Sequence, residues 1–86
     1  MKNLIKNYID KLSIDNLKEF SLKNDINLTN SELEYILNLV KNNYEDILID
    51  DSIYLKNIKE KINSKEYIKL ENLYFIYKNK YKKYLF

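Results

Sequence analysis

The sequence predicts an all-α protein: a small single-domain helical bundle of four long helices plus one short helix, with the C-terminal helix central. Three observations carry this. Apolar residues recur at three- and four-residue steps along nearly the whole chain, with little sustained alternation. Gly and Pro are both absent, so only caps and polar breaks interrupt the helical pattern. The 86 residues, 45% of them hydrophobic, make one domain over residues 1–86 that holds together by apolar burial.

The first helix is predicted over residues 2–11, with Leu4, Ile5, Tyr8 and Ile9 on one side and Leu12 following. Ser13 is the N-cap candidate for a second helix over residues 14–23, which buries Ile14, Leu17 and Phe20 and ends near Asn24. Asn takes the place of Gly as a left-handed C-cap, because a short polar side chain tolerates that conformation. The stretch "DINL" is a short extended link. In "LTNSEL", Thr29 fits an N-cap, Glu32 reaches back to it, and Leu28 and Leu33 form the accompanying hydrophobic staple.

The third helix runs to about Lys41 with Leu33, Ile36, Leu37 and Val40 inward, and is expected to stop at Asn42–Asn43. A short helical turn follows over residues 44–49, with Ile47 and Leu48 inward. Asp51 or Ser52 is expected to cap a helix over residues 53–62, burying Leu55, Ile58 and Ile62. Ser64 is expected to cap the last helix, over residues 65–84.

That last helix ends in "YFIYKNKYKKYLF", where tyrosines and lysines interleave. At about 100° per residue they separate in space. Tyr67, Leu70, Leu73, Tyr74, Tyr77, Tyr81, Tyr84 and Leu85 fall within an arc of about 120°, and the lysines lie elsewhere. A core stripe with lysines snorkelling around its rim fits this better than a stacking platform for single-stranded nucleic acid. Ile68 and Phe75 lie one heptad apart outside the arc and Ile76 on its opposite side, so residues 68–77 read as apolar nearly all round and enclosed on several sides. The far end is the candidate partner contact, through Tyr77, Lys78, Lys80, Tyr81, Lys82, Lys83, Tyr84 and Phe86.

Composition closes many functions. Without Cys or His there is no disulfide, no thiolate–zinc site and no Ser–His or Cys–His nucleophile pair. Without Gly there is no phosphate-cradling loop, dinucleotide fingerprint or usual EF-hand loop. Of five serines, Ser13, Ser31, Ser52 and Ser64 lie at or near helix starts, where capping explains them. Ala, Arg and Trp are missing too, while Lys, Asn, Ile, Leu and Tyr dominate, which A-T-rich codons explain without any specialised function.

The net charge of +2 divides unevenly. Residues 1–51 carry six Lys and ten acids, for −4; residues 52–86 carry nine Lys and three acids, for +6. Mutual attraction of the two halves within the fold is the simpler reading, and an acidic partner for the basic half the other. Glu45, Asp46, Asp50 and Asp51 form the one acidic cluster; surface turn and N-cap roles account for it better than Mg²⁺ or Ca²⁺ binding. A helix-turn-helix built on the second and third helices would present Asn30, Ser31, Glu34, Tyr35, Asn38 and Lys41, a face poor in cations for DNA.

Within residues 17–48, the Leu17–Ser21 segment, Ile26, Leu28, Thr29 and Glu32, then Ile36, Val40, Lys41, Asn43 and Ile47 resemble the YqfT-like family, short uncharacterised proteins of low-GC Gram-positive bacteria. The resemblance implies a small helical cytoplasmic protein and no biochemical activity. The expectation from the residues is a non-enzymatic protein-interaction or regulatory module with a protein partner or self-association. A weak nucleic-acid binder using Lys78, Lys80, Lys82 and Lys83 with Tyr77, Tyr81 or Tyr84 is the alternative. No cofactor, metal, small molecule or membrane is implied: the longest apolar run, Leu73–Tyr77, is far below the ~20 residues of a span.

Overall fold

The computed structural model describes residues 2–85, and their side chains over residues 6–80. Five helices follow one another: α1 (Lys2–Lys11), α2 (Ile14–Lys23), α3 (Asn30–Ile49), α4 (Ser52–Lys61) and α5 (Ser64–Leu85). Among the described residues there is no strand. The chain is an all-α helical bundle. The predicted positions of Leu4, Ile5 and Tyr81–Phe86 lie outside the described side chains.

Asparagine chemistry sets two of the joints. The break expected at Asn42–Asn43 is present as a kink: Asn43 leaves the helical region (φ −134°, ψ 15°), and the expected short helical turn over 44–49 follows directly, so that the two run on as α3. The Asn43 side-chain amide donates to the Leu39 carbonyl at 2.8 Å, satisfying an acceptor near the bend. At the end of α2, Asn24 donates in the same way to the Phe20 carbonyl at 2.8 Å. The left-handed residue there is Asp25 (φ 58°), not Asn24. The Ile26 N–H reaches the Ser21 carbonyl and the Asp25 N–H the Leu22 carbonyl, the paired bonds of a Schellman motif. This turn seats Ile26, which is fully buried.

Helix starts follow the sequence in two cases and depart from it in two. Ser13 caps α2 and Thr29 caps α3, each with a reciprocal capping box. Ser64 does not cap α5. The Asn63 side chain does so, accepting from the Lys65 N–H at 2.9 Å. Asp51 makes no side-chain cap on α4, and Asp50 accepts from the Ser52 N–H at 3.0 Å instead.

α3 packs against α1, α2 and α4, and α4 packs against α5. Leu33, Ile36 and Leu37 are buried along α3, as their spacing predicts. Ile36, Ile58, Ile62 and Tyr67 form one cluster, with Leu17, Leu28, Leu39, Val40 and Leu70 packed against it. Of the residues expected inside, Tyr8 is largely exposed, and Ile14 and Phe20 are partly so. α1 and α2 are ten-residue helices at the rim, and Ser21, not Phe20, is the buried residue of α2.

α5 is central only through its first turns, where Glu66 and Tyr67 are buried. The expectation that residues 68–77 are enclosed on several sides is corrected, because one face of this stretch lies open to solvent.

Candidate interaction surface

The two sides of α5 have different chemistry. Its core side presents Tyr67, Leu70, Tyr74 and Tyr77, spaced by three and four residues. Tyr67 is 4% exposed, and its hydroxyl donates to Glu71 at 2.7 Å. Tyr74 is half-buried and donates to the Asp51 carboxylate at 2.7 Å. Tyr77 is more exposed and leans on Phe20 with ring centroids 5.9 Å apart. The phenolic stripe therefore turns inward, less completely toward the C-terminus.

Lys78 Nζ donates to the same Asp51 oxygen at 2.7 Å, and lies 5.8 Å from the Phe75 ring centroid. One carboxylate thus ties the start of α4 to the second half of α5. Burial pushes the Asp51 carboxyl upward, but hydrogen bonds from Lys78 and Tyr74 and the charge of Lys78 outweigh it and hold it below its ordinary value. At the other end, Lys69 Nζ pairs with Asp25 at 3.6 Å and Glu66 accepts the Asn27 N–H at 2.8 Å. Lys69–Asp25 and Lys78–Asp51 both join the basic half to the acidic half, the attraction within the fold that the charge asymmetry predicts.

The acidic cluster is divided. Glu45 accepts from Tyr44, Asp46 from Tyr54, Asp50 from Ser52, and Asp51 from Tyr74 and Lys78. Among the described residues no group of three acidic side chains is arranged to hold a metal ion. A cleft beside Ser21, Ile26 and Leu33 has Lys18 as the one titratable side chain on its border.

The outer side of α5 carries Ile68 at 60% exposure, Phe75 at 38% and Ile76 at 62%. Asn72 and Asn79 lie between and beyond them, also exposed. Ile49, at 84% exposure, and Ile53 flank Asp51 in sequence, near the same end of α5. Of the sequence-predicted contact residues, Tyr77 lies on the core side, Lys78 is held by Asp51, and Lys80 is exposed. Tyr81, Lys82, Lys83, Tyr84 and Phe86 lie outside the described side chains. The outer stripe escaped the sequence reading because an apolar residue outside the main arc looks like a second buried face until the neighbouring helices are placed.

No family model, no curated protein and no solved structure matches this chain. Its surface chemistry is the guide that remains.

Proposed function

We propose that this chain is a small non-enzymatic protein-interaction module that docks a protein partner on the outer face of α5. One observation carries the reading: Ile68, Phe75 and Ile76 all lie on the half of α5 turned away from its core side, and all three are exposed. Clustered exposed apolar side chains mark interaction sites, whereas scattered ones do not. The absence of His, Cys and Gly from the sequence supports a role without catalysis. The proposed setting is the cytoplasm; among the described residues no helix is long and apolar enough to cross a membrane. The proposed kinship with the YqfT-like family rests on residues 17–48 and brings no activity with it.

The test is face-dependent capture. Wild-type protein and the Ile68→Glu/Ile76→Glu variant are immobilised, and proteins retained from the native cell extract are compared quantitatively. A protein retained by the wild type and depleted at least about fivefold on the variant supports the reading. Identical retention profiles would sink it.

A further inference from the structure

We infer that the partner segment seated on α5 is an acidic amphipathic helix, and this rests on the docking role proposed above. Two observations define that occupant. Lys65, Ile68, Asn72, Phe75 and Asn79 follow one another at steps of three, four, three and four, and all are exposed. Ile68 and Phe75, one heptad apart, are the apolar positions of this stripe, with Ile76 beside them and Lys65, Asn72 and Asn79 polar, and such spacing suits a second helix laid along it. A polar residue within such a seam fixes register at some cost in affinity, which is the place Asn72 occupies.

Charge gives the second half of the inference. Lys65 and Lys80 border the seam, Lys69 beside them is paired with Asp25 and Glu66, and no carboxylate lies on the seam itself. Glu66 is turned inward toward Asn27, and Glu71 is held by Tyr67. Lys65 is exposed and makes no ion pair among the described residues. A helix flanked by Asp or Glu would meet these cations, and its own Leu or Ile residues would cover Ile68, Phe75 and Ile76.

A second copy of this chain fits less well. In an antiparallel pairing centred near Asn72, the Lys65 of each copy comes level with the Lys80 of the other; in a parallel pairing Lys65 meets Lys65. Like charges oppose in both. Nucleic acid fits less well again, because Tyr67 and Tyr74 turn their rings inward and Lys78 is neutralised by Asp51.

The experiment selects from a displayed library of random peptides of about 20 residues, long enough to lie along this face. Binders are sorted by loss of binding to Ile68→Glu/Ile76→Glu, and to the milder Ile68→Ser/Ile76→Ser in case the charged pair fails to fold. Face-dependent binders are expected to carry net negative charge with apolar residues at heptad spacing. They should lose about tenfold or more in affinity to Lys65→Glu, and weaken as salt rises from about 50 to 200 mM. Face-dependent binders that are neutral or basic would overturn the acidic helix and leave the docking role standing. If no binder depends on this face, both fall. Binding of single-stranded oligonucleotides or phosphatidylserine vesicles, or a dimer in light scattering, would likewise overturn the inference if abolished by the same substitutions.

Discussion

Glu32 Oε2 accepts the backbone N–H of Asn63 at 2.9 Å, thirty-one residues further along the chain. Its other oxygen accepts the Thr29 N–H at 2.8 Å, and Thr29 Oγ1 returns a bond by accepting the Glu32 N–H at 3.1 Å. A local capping box at the start of α3 therefore also holds the corner that leads into α5. Replacing Thr29 by Ala removes one cap and is expected to cost about 1 kcal/mol. Glu32→Ala removes the acceptor of two backbone donors and is expected to cost more, about 1–2 kcal/mol. Urea denaturation of both variants measures the difference, and a Glu32→Ala cost no larger than that of Thr29→Ala would show that the bond to Asn63 contributes nothing.

The Asp51 carboxylate makes a second long-range tie, to Tyr74 and Lys78. Its side chain is 14% exposed and that of Lys78 33%, so solvent screens the pair only in part. Asp51→Ala is expected to cost about 2 kcal/mol, more than Asp50→Ala, whose loss is confined to a cap. A double-mutant cycle with Lys78→Met should give a coupling of about 1 kcal/mol. Additive effects of the two substitutions would mean that the ion pair is only a surface contact.

Asp25 holds a left-handed conformation (φ 58°) that glycine adopts without strain. Its salt bridge to Lys69 is long, at 3.6 Å, and the Asp25 side chain is 89% exposed, so that pair adds little. Lys69 also reaches the Asp25 backbone carbonyl at 2.9 Å, a bond that survives any substitution. Asp25→Gly should therefore stabilise the protein or leave it within about 0.5 kcal/mol, whereas a β-branched Asp25→Val should cost about 1–2 kcal/mol. A destabilised Asp25→Gly in thermal melts would assign the side chain a role that its geometry does not suggest.

Acid should weaken the fold through three carboxylates. Asp51 and Glu32 are pushed up by burial but pulled further down by their donors, and Asp50 is lowered by its bonds from Ser52. Each folded value lies below the ordinary one, 3.8 for Asp and 4.5 for Glu. Their contribution is thus fully present above those ordinary values and is lost as pH falls through the lowered ones. Melting temperature should be flat from neutral pH to about 5 and fall steadily below about 4.5. The Glu32→Gln and Asp51→Asn variants should show a shallower fall than the wild type, and parallel curves would assign the acid loss to other groups.

Much of this architecture was legible in the sequence, because periodicity and caps are local. The ranges of α1, α2 and α4, and the capping box of Thr29 and Glu32, follow from residues within a turn of one another. The local misses are shifts of one residue, Asn63 for Ser64, Asp50 for Asp51 and Asp25 for Asn24, and the larger ones are non-local. Nothing near Asp51 indicates that it serves Tyr74 and Lys78 rather than the helix it begins. Nothing near Glu66 indicates that it is buried beneath the Asn27 N–H. Ile26 looks like a linker residue until the Schellman turn folds it under α3. The outer face of α5 shows the same limit from the other side. Ile68 and Ile76 have core chemistry, and only the placement of the neighbouring helices leaves them exposed.

Alkali should act on the phenols of α5. Burial, followed by the hydrogen bond to Glu71, pushes the Tyr67 hydroxyl up to about 12. Burial, followed by the bond to Asp51, raises that of Tyr74 as well. Both rings are neutral in the folded and unfolded chain below pH 10, so their contribution is complete there. Above that pH the unfolded chain sheds its phenolic protons first, and stability falls. At about 1.4 kcal/mol per unit, the shift of Tyr67 corresponds to on the order of 2–3 kcal/mol lost by pH 12. Phenolate absorbance and helical circular dichroism followed through the same titration separate the possibilities. At least two of the nine tyrosines should ionise only as the helical signal is lost, and Tyr67→Phe should remove one of them from this late phase. If every phenol ionises near its ordinary value while the helices stay intact, Tyr67 and Tyr74 are not held against the core as the structure places them.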